Sequence, residues 1–365
     1  NPFLDEDREI RVGASIGIAL CPKYAIDSEG LLACADAAMY EAKRGGRNGF
    51  RFHSNAVGTR YREGHVLEQE LRRALERREL SVLYQPQVAL RGLRILGCEA
   101  QLRWQPPGRE PVDTELFRRL AERTELIVPF ERWALGQVVG QAARWRLRLA
   151  GLRISMDISA VQLRLTHQER LLDLLRGHLE PQGDGIELEL PEWALLDSPD
   201  QVIRACGRLH DLGVPLALDH FGSGLSSLRQ IRRLPLARLK LAGALLRDLE
   251  HDTNAAALVS ATIALGHGLG IKVLAQDVET PGQLQLLQRL GCDEAQGALF
   301  SAPLGAEPFG ELLERVSRGD PAEGRWGLPR QGAAWEAQGL FGAVSGALSR
   351  GCARLKDLAG GRRPS

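Results

Sequence analysis

The chain has 365 residues, of which 44% are hydrophobic and 25% are charged. This length allows one large domain with a smaller one, or two medium domains, with a sizeable core. The formal net charge of +1 gives no general attraction for nucleic acid or acidic lipid. No apolar run reaches the roughly 18 residues that a membrane-spanning helix needs. We therefore expect neither nucleic-acid binding nor a membrane span in this sequence.

The cysteines indicate a reducing compartment. Six of them are scattered along the chain without a Cys-x-x-Cys pair, namely Cys21, Cys34, Cys98, Cys206, Cys292 and Cys352. This pattern is typical of reduced cysteines in a cytoplasmic protein, and a disulfide framework or a zinc site is the alternative interpretation. No signal peptide is visible, and the chain begins with Asn1 instead of Met. We expect a cytoplasmic protein and a fragment of a longer one.

The first fifty residues predict a small β-α-β unit. The apolar run Val12–Leu20 is typical of a strand, Ser28–Arg44 has apolar residues at helical spacing, and Gly49–His53 is a second short strand. Such a unit is small for an independent domain. We predict a partial domain over residues 1–53, followed by a linker over residues 54–66.

Residues 67–318 alternate between short apolar runs and amphipathic helical stretches. Only the turn Arg91-Gly92 separates the first two runs, which is typical of an antiparallel hairpin. Eight strands with helices between the later ones predict an α/β fold, a (β/α)₈ barrel of the TIM type with an antiparallel first strand. The predicted strands are Leu80–Val88, Ile95–Trp104, Arg153–Ser159, Gly185–Leu190, Pro215–Phe221, Ala237–Leu241, Lys272–Val278 and Glu294–Ser301.

Residues 319–365 form a predicted tail that is rich in Gly, Arg and Ala. Apolar residues recur there at the spacing of an amphipathic helix, namely Phe341, Val344, Leu348, Cys352 and Leu355. Two interpretations of this helix stay open: it packs back on the barrel, or it docks on a partner protein or a second copy. The basic residues at its end are too sparse to indicate nucleic-acid or membrane binding.

Polar residues lie at or near the ends of almost every predicted strand, where barrel enzymes have their active sites. Four of them are carboxylates that would repel one another unless a hard divalent cation neutralises them. A lysine could balance the charge or orient a water, and an arginine could bind a phosphate through a forked hydrogen bond. The alternative is that each residue is an exposed charge or a salt-bridge partner. The residues are Gln85, Glu99, Arg103, Asp157, Glu189, Asp219, Lys240, Gln276 and Gln296.

The motifs around these residues resemble a known family. They read Tyr84-Gln-Pro-Gln-Val, Glu99-Ala-Gln-Leu-Arg-Trp, Asp157-Ile-Ser-Ala, Leu188-Glu-Leu-Pro-Glu, Asp219-His-Phe-Gly-Ser-Gly, Leu239-Lys-Leu, Ala275-Gln-Asp-Val-Glu-Thr and Ala295-Gln-Gly-Ala-Leu-Phe-Ser-Ala-Pro. From about Leu67 to Val316 their order and spacing resemble the EAL domain. That resemblance implies a (β/α)₈-like phosphodiesterase that cleaves cyclic di-GMP to the linear dinucleotide pGpG with two Mg²⁺ or Mn²⁺ ions.

The opening piece resembles the final third of a GGDEF domain. It runs from Ser15-Ile-Gly-Ile-Ala to Ala35-Asp-Ala-Ala-Met-Tyr-Glu-Ala-Lys-Arg-Gly-Gly-Arg-Asn. GGDEF domains make cyclic di-GMP from two GTP and often precede EAL domains. The GG[DE]EF signature itself is absent from the sequence, so this chain is not a diguanylate cyclase. Tandem proteins of this kind often dimerise, and a homodimer stays open.

The resemblance assigns three sets of site residues. It implies that metal ions bind at Glu99, Asp157, Glu189, Asp219 and His220. It implies catalytic roles for Lys240, Gln276 and Glu279. It implies that cyclic di-GMP contacts Gln85, Gln101, Arg103, Asp219, Gln296 and Pro303.

Several departures from the family pattern put hydrolysis in doubt. His220 stands where the family has a second Asp, and Gln276 stands where it has Glu. Two-metal hydrolysis needs both ions close together, a neutral imidazole prefers metals such as zinc over Mg²⁺, and an amide cannot act as a base. We therefore expect little or no hydrolysis, with the second metal site lost. The other departures are Gln101 for Leu, Asp157 for Asn, Ala242 for Asp and Ala298 for an aromatic residue.

Three functions follow from this pattern. The first is a catalytically inactive regulatory module that binds cyclic di-GMP or docks a partner protein. The second is a working phosphodiesterase with Mg²⁺ or Mn²⁺, in which His220 is an unusual ligand. The third is a protein-interaction scaffold that has lost both dinucleotide and metal. Gln101 and Ala298 remove apolar and stacking surface worth about 1–3 kcal/mol each, so binding and loss of binding both stay open.

Overall fold

The computed structural model describes residues 3–5, 8–10, 14–21, 23–24, 28–44, 49–52, 67–146, 149–178, 185–222 and 228–318. The predicted linker over residues 54–66 and the predicted tail over residues 319–365 lie outside these ranges. The chain divides into two compact units, one within residues 1–77 and the other from residue 78 onward. Within the described ranges, no helix is long and apolar enough to cross a membrane. Five of the cysteines lie in these ranges, and all five are free.

The first unit contains the predicted β-α-β arrangement. Its third and fourth strands are parallel and pack on the helix between them. A Cβ atom on Gly17 would lie 1.9 Å from the carbonyl oxygen of Ala35, so only glycine lets the helix approach this closely. An antiparallel hairpin before this arrangement was not predicted. The elements are β1 (Phe3–Asp5), β2 (Arg8–Ile10), β3 (Ile16–Ile18), α1 (Ser28–Arg44) and β4 (Phe50–Phe52).

The second unit is a closed eight-stranded barrel. In it β5 is antiparallel to both of its neighbours, and all other pairs are parallel. This confirms the predicted α/β barrel with an antiparallel first strand. Gly92 in the connecting turn has φ +78°, a value that glycine adopts without strain. The strands are β5 (Leu80–Ala89), β6 (Ile95–Trp104), β7 (Arg153–Asp157), β8 (Ile186–Pro191), β9 (Leu216–Phe221), β10 (Leu236–Leu241), β11 (Lys272–Ala275) and β12 (Glu294–Ala295).

Helices cover the outside of the barrel. Local signals start them: the Asp113 carboxylate accepts the backbone N–H of Leu116, and Thr280 forms a capping box with Gln283. Their apolar faces pack on the strands and form the core. The helices are α2 (Thr114–Arg123), α3 (Ile127–Arg146), α4 (Leu165–His178), α5 (Ala194–Asp197), α6 (Pro199–Asp211), α7 (Leu228–Ile231), α8 (Thr253–Gly268), α9 (Pro281–Arg289) and α10 (Ala306–Ser317).

The last two strands are shorter than predicted. The prediction extended β11 to Val278 and β12 to Ser301, and both bounds are wrong. The chain leaves the barrel wall at Gly297, whose φ is +155°. A Cβ atom there would lie 2.2 Å from the backbone nitrogen of Val278, so the two loops after β11 and β12 pack closely. These loops form part of the upper rim of the barrel, where the strands end.

The barrel interior holds two layers of polar side chains. Alternate residues of a strand point to the same face, and three strands carry polar residues two positions apart: Glu187 and Glu189 in β8, Arg238 and Lys240 in β10, and Glu294 and Gln296 at β12. All six are buried. We call the lower ionic layer the four residues Arg153, Glu187, Arg238 and Glu294, which lie toward the beginnings of their strands. The second member of each pair lies toward the strand ends.

Candidate metal and ligand site

Three of the predicted metal ligands meet at the upper end of the barrel interior. One carboxylate oxygen each from Glu99, Asp157 and Glu189 lies within 4.8 Å of the other two. We call these residues the acidic cluster. Glu99 and Glu189 are buried, whereas the side chain of Asp157 is 39% exposed. The cluster therefore opens toward the upper rim through Asp157.

Lys240 lies against this cluster and is fully buried. Its Nζ is 2.5 Å from Glu189 Oε2, 3.4 Å from Glu99 Oε2 and 3.5 Å from Asp219 Oδ1. Burial alone would lower the pKa of this ammonium, but the surrounding carboxylates outweigh it and raise the pKa well above its usual range. Lys240 is therefore a permanent cation at neutral pH. It cannot accept a proton from water in this state.

Asp219 is bound by the side chains of Gln276 and His220. Gln276 Nε2 donates to Asp219 Oδ1 at 2.8 Å, and the Nδ1 atom of His220 is bonded to Asp219 Oδ2. Burial would raise the pKa of Asp219, but Lys240 and His220 lower it below its usual range. Both carboxylate oxygens of Asp219 are thus engaged by side chains of the protein.

The backbone of His220 is unusual for a bulky residue. Its φ is +55°, in the left-handed region that glycine favours. The imidazole folds back on the preceding residue, and 61% of its side chain stays exposed at the rim. The hydrogen bond to Asp219 raises the pKa of His220 against the effect of burial. His220 therefore places a basic imidazole at the rim, directly beside Asp219.

Two helical residues support the β7 end of the site. On α2, Arg118 Nη1 donates to Asp157 Oδ2 at 3.3 Å. On α3, the buried Glu131 carboxylate accepts the backbone N–H of Ser159 at 2.8 Å and its hydroxyl at 3.0 Å. Burial raises the pKa of Glu131 to about 8, since the hydrogen bonds from Ser159 only partly compensate. These contacts fix Asp157 at the end of β7 and Ser159 in the segment that follows it.

A second group of predicted residues forms a continuous hydrogen-bond chain at the rim. Arg103 Nη2 donates to Gln101 Oε1 at 2.7 Å, Gln101 Nε2 donates to Gln85 Oε1 at 3.3 Å, and Gln85 Nε2 donates to the Ser301 carbonyl at 3.1 Å. We call Arg103, Gln101 and Gln85 the rim chain. Pro303 follows in the same loop, next to Leu304, which pairs with the β5 residue Tyr84. Four predicted ligand residues therefore share one side of the rim.

The guanidinium of Arg103 is the positive charge of the rim chain. It is half-buried, and no carboxylate within the described ranges forms an ion pair with it. Burial lowers its pKa, but arginine stays protonated at physiological pH. A cation whose hydrogen-bond partner is only a neutral amide retains the capacity to bind an anion.

The remaining predicted residues have different positions. Gln296 is buried and donates through Nε2 to Glu99. Glu279 is exposed in the loop after β11, and no hydrogen bond of its carboxylate within the described residues places it at the cluster. Ala298 is exposed as well, without the aromatic ring that the family pattern has there. Gln296 therefore lies at the acidic cluster, whereas Glu279 and Ala298 lie on exposed parts of the loops after β11 and β12.

Sequence reasoning missed three charged residues of the site. Arg118, Glu122 and Glu131 lie on helices, whereas strand periodicity identifies only residues at strand ends. A fourth, Asp277, follows Gln276 in the same motif and has φ +55°. The run Arg118-Arg119 on an otherwise amphipathic helix was the available signal, but its spacing alone does not show which arginine faces the barrel.

The donor set fits one hard divalent cation. Glu189 Oε1 and Asp157 Oδ1 are buried atoms with no hydrogen-bond partner among the described residues. Carboxylate oxygens of this kind are the ligands that Mg²⁺ and Mn²⁺ prefer. Around Asp219 the fit is poor, because both of its oxygens already have partners and Gln276 offers only an amide oxygen.

The sequence pattern described as EAL domain matches residues 68–303, which contain all the site residues named above. The chain belongs to the EAL domain family. Its eight-stranded barrel with one antiparallel strand is the fold that the solved EAL structures share. The GGDEF resemblance of residues 1–53 remains a prediction.

Two curated relatives and one solved structure illustrate the family. The bifunctional diguanylate cyclase/cyclic di-GMP phosphodiesterase MucR of Pseudomonas aeruginosa is 38% identical over 87% of this chain. The cyclic di-GMP phosphodiesterase PdeR of Escherichia coli is 35% identical over 84% of this chain. In both cases the match covers 46% of the relative, so the chain spans less than half of their length.

The solved structure is the PaMucR phosphodiesterase in complex with c-di-GMP. It is 36% identical, has a TM-score of 0.62, and covers 67% of this chain and 99% of its own. The family is thus that of cyclic di-GMP phosphodiesterases.

Proposed function

We propose that the barrel is a regulatory receptor that binds cyclic di-GMP and hydrolyses it little or not at all. The observation that supports this most is the state of Asp219, whose two oxygens are held by Gln276 and His220. Two metal ions about 3.5–4 Å apart need a carboxylate that both ions share or that lies next to both. In this chain the candidate carboxylate is engaged by a neutral amide and a basic imidazole.

Neither Gln276 nor Lys240 can act as the general base that activates a water. Gln276 cannot remove a proton from water, and Lys240 is held protonated by the carboxylates around it. Within the proposed site, Lys240 instead neutralises the buried negative charge of Glu189 and Glu99. A divalent ion, Mg²⁺ or Mn²⁺, is proposed to bind at the acidic cluster and would polarise a phosphoryl oxygen when bound. One such ion supports binding of a phosphodiester better than its cleavage.

The rim chain supports ligand binding. Arg103 offers a charged donor for a phosphate oxygen, and Gln101 holds it beside Gln85, whose amide can face a base edge. The departure at Gln101 therefore adds a hydrogen-bonding bridge in place of the apolar surface of Leu. The PaMucR structure contains the same dinucleotide in a barrel of the same fold, which makes cyclic di-GMP the ligand to test first.

A second candidate function is phosphodiesterase activity with a modified site. The acidic cluster and the buried Lys240 favour it, since Glu99, Glu189 and Lys240 match the family pattern and Asp157 also offers a carboxylate oxygen. A scaffold that binds neither metal nor dinucleotide is the third. We further propose that residues 1–53 are the end of a GGDEF domain, that the chain works in the cytoplasm, and that the tail docks on the barrel or on a partner.

The deciding experiment is calorimetric titration of cyclic di-GMP into the purified chain, with Mg²⁺, with Mn²⁺ and with chelator, followed by analysis of the nucleotide. We expect binding with the ligand recovered intact. Arg103→Ala is expected to weaken binding at least about tenfold, because a charge-assisted hydrogen bond contributes about 1.5–3 kcal/mol. Arg91→Ala, at an exposed turn between β5 and β6, serves as the matched control.

Each other outcome points to a different function. Binding that ends in pGpG would replace the receptor by an enzyme. Absence of both heat and cleavage would leave the scaffold. Binding that survives Arg103→Ala unchanged would show that the phosphate is bound elsewhere than at the rim chain.

A further inference from the structure

Arg118 is a cation that lies beside the acidic cluster without belonging to a strand. It projects from α2, and its side chain is only 17% exposed. Nη1 is 3.3 Å from Asp157 Oδ2, and Nε is 3.2 Å from Glu122 Oε1 of the same helix. Its Nη2 atom is buried and has no hydrogen-bond partner among the described residues. The guanidinium thus lies between the helix and the open side of the cluster.

The electrostatic surroundings keep this charge in place. Burial would lower the pKa of Arg118, but Asp157 and Glu122 outweigh it and raise the pKa, with smaller effects from Glu131 and Asp219. A buried arginine is not released by deprotonation, and its pair with Asp157 is screened by solvent less than a surface pair. Arg118 therefore competes with any cation for the same carboxylate.

Asp157 is the ligand on which this competition acts. It is the most exposed of the three acidic residues. Arg118 carries a full positive charge, and its contact with Asp157 favours the ionised form of that carboxyl group. A divalent ion at the cluster would then meet one repelling cation at close range in addition to Lys240.

We infer that Arg118 is an internal counter-cation of the acidic cluster, which holds Asp157 in an ion pair and lowers the affinity of the cluster for divalent metal ions. This inference rests on the proposed function, since the ion is proposed to bind at Glu99, Asp157 and Glu189. It adds a positioning residue that makes the receptor less dependent on metal. Dinucleotide binding with chelator present is then expected to approach that with Mn²⁺.

The test measures metal binding without any nucleotide. Mn²⁺ is titrated into the full purified chain, and free Mn²⁺ is followed by electron paramagnetic resonance. Arg118→Met is expected to tighten Mn²⁺ binding about tenfold, because a like charge a few ångströms from the ion is removed. Arg118→Lys retains the charge and is expected to stay near the affinity of the unmodified chain.

The matched control is Arg119→Met, on the next residue of α2. Arg119 is 54% exposed and lies 4.0 Å from Glu115, away from the cluster. We expect it to leave Mn²⁺ affinity unchanged. In the background of Asp157→Asn, the gain from Arg118→Met is expected to shrink to less than about threefold, because the ion pair is already absent.

A purely structural role of Arg118 predicts the opposite sign. If Arg118→Met leaves Mn²⁺ affinity unchanged or weakens it, the inference is wrong, and the same holds if no variant binds Mn²⁺. Circular dichroism of each variant verifies that a change in affinity is not a loss of fold. The nucleotide titration is independent: loss of cyclic di-GMP binding would refute the proposed receptor while leaving a tighter Mn²⁺ site in Arg118→Met intact.

Discussion

The two polar layers of the barrel interior have similar residue types and a different ratio of cations to carboxylates. In the lower ionic layer, Arg238 meets both Glu187 and Glu294, the latter at 3.1 Å, and Arg153 meets Glu294 at 2.6 Å and Glu187 at 3.7 Å. Two cations and two carboxylates close a neutral square. In the upper layer, Lys240 alone faces three carboxylates.

This difference separates structure from function within one barrel. In the lower layer the two carboxylates each meet both arginines, so the charges balance within the layer, although Glu187 Oε1, Arg153 Nε and Arg238 Nε form no hydrogen bond among the described residues. In the upper layer one lysine faces three carboxyl groups, burial raises the pKa of Glu189 well above its usual range, and one buried Glu189 oxygen has no hydrogen-bond partner among the described residues. Buried charge without compensation is costly, so the upper layer is stabilised by a ligand cation or by added positive groups such as Arg118.

The layers are connected through one buried amide. Arg153 Nη2 donates to Gln87 Oε1 at 2.6 Å, and Gln87 Nε2 donates to Gln296 Oε1 at 3.1 Å. Gln296 in turn donates to Glu99 of the acidic cluster. A continuous chain of hydrogen bonds therefore connects the lower layer with the acidic cluster.

The largest expected effect comes from breaking the lower layer. Arg238→Met leaves Glu187 and Glu294 with a single cation between them, and removing one partner of a buried ion pair costs about 3–5 kcal/mol. We expect a loss of that size in the free energy of urea unfolding. Mn²⁺ at millimolar concentration is not expected to restore it, since the layer is closed to solvent.

Lys240→Met is the matched change in the upper layer. It also removes a buried cation among carboxylates, but here a divalent ion can take over the compensation. We expect Mn²⁺ to recover a large part of its lost stability. If Mn²⁺ stabilises both variants equally, or neither, the distinction between a closed and an open layer does not hold.

The second-largest expected effect is a gain of hydrolysis when two residues beside the upper layer are replaced. The double variant His220→Asp with Gln276→Glu frees the Asp219 carboxylate and supplies two carboxylates where the family pattern has them. We expect the hydrolysis rate of cyclic di-GMP with Mn²⁺ to rise at least about a hundredfold, because a second metal ion and a base are each worth about that much. Formation of pGpG measures it.

His210→Asp, at an exposed position of α6, controls for the added charge. An inert double variant would mean that the defect also lies elsewhere, with Ala242 as the next position to restore. It would also favour the receptor over the enzyme, because the retained cluster and Lys240 would then be insufficient for catalysis.

The barrel and the acidic cluster could be predicted from the sequence for one reason. Strand periodicity identifies which residues share the interior face, and the ends of parallel strands meet at one rim, so Glu99, Asp157 and Glu189 could be grouped without coordinates. The same argument fails for β12, since a two-residue strand has no periodicity. The chain leaves the barrel wall at Gly297, where its backbone packs against Val278. This contact joins residues of two different loops, so the local sequence does not reveal it.

The helical contributions to the site could not be predicted. A helix residue reaches the rim only if the packing angle of its helix points it there, and spacing on α2 does not distinguish Arg118 from Arg119. The state of Asp219 was equally hidden, since the substitutions at His220 and Gln276 indicate a lost ligand but not that both side chains bind the same carboxylate. These are tertiary facts.

The smallest expected effect is the pH dependence of stability that arises from Glu131, a buried titratable group outside both layers. Its pKa is raised by burial from the ordinary value of 4.5 to about 8, so the folded state binds a proton there that the unfolded state releases between these values. The stability that this group contributes is complete below pH 4.5 and is lost as pH rises through 8. Since one pKa unit corresponds to about 1.4 kcal/mol, the loss between pH 6 and pH 8 is at most about 3 kcal/mol.

Glu131→Gln removes this titration and retains the contacts, because the Gln amide can accept from the Ser159 N–H and donate to its hydroxyl. We expect urea midpoints of the variant to fall less between pH 6 and pH 8 than those of the unmodified chain. Glu115→Gln, with a side chain that is 69% exposed, is the control and keeps the original trend. Parallel pH trends in Glu131→Gln and the unmodified chain would mean that Glu131 is ionised in the fold. Arg118 would then compensate Glu131 as well as Asp157, and the upper layer would extend from the strands onto α3.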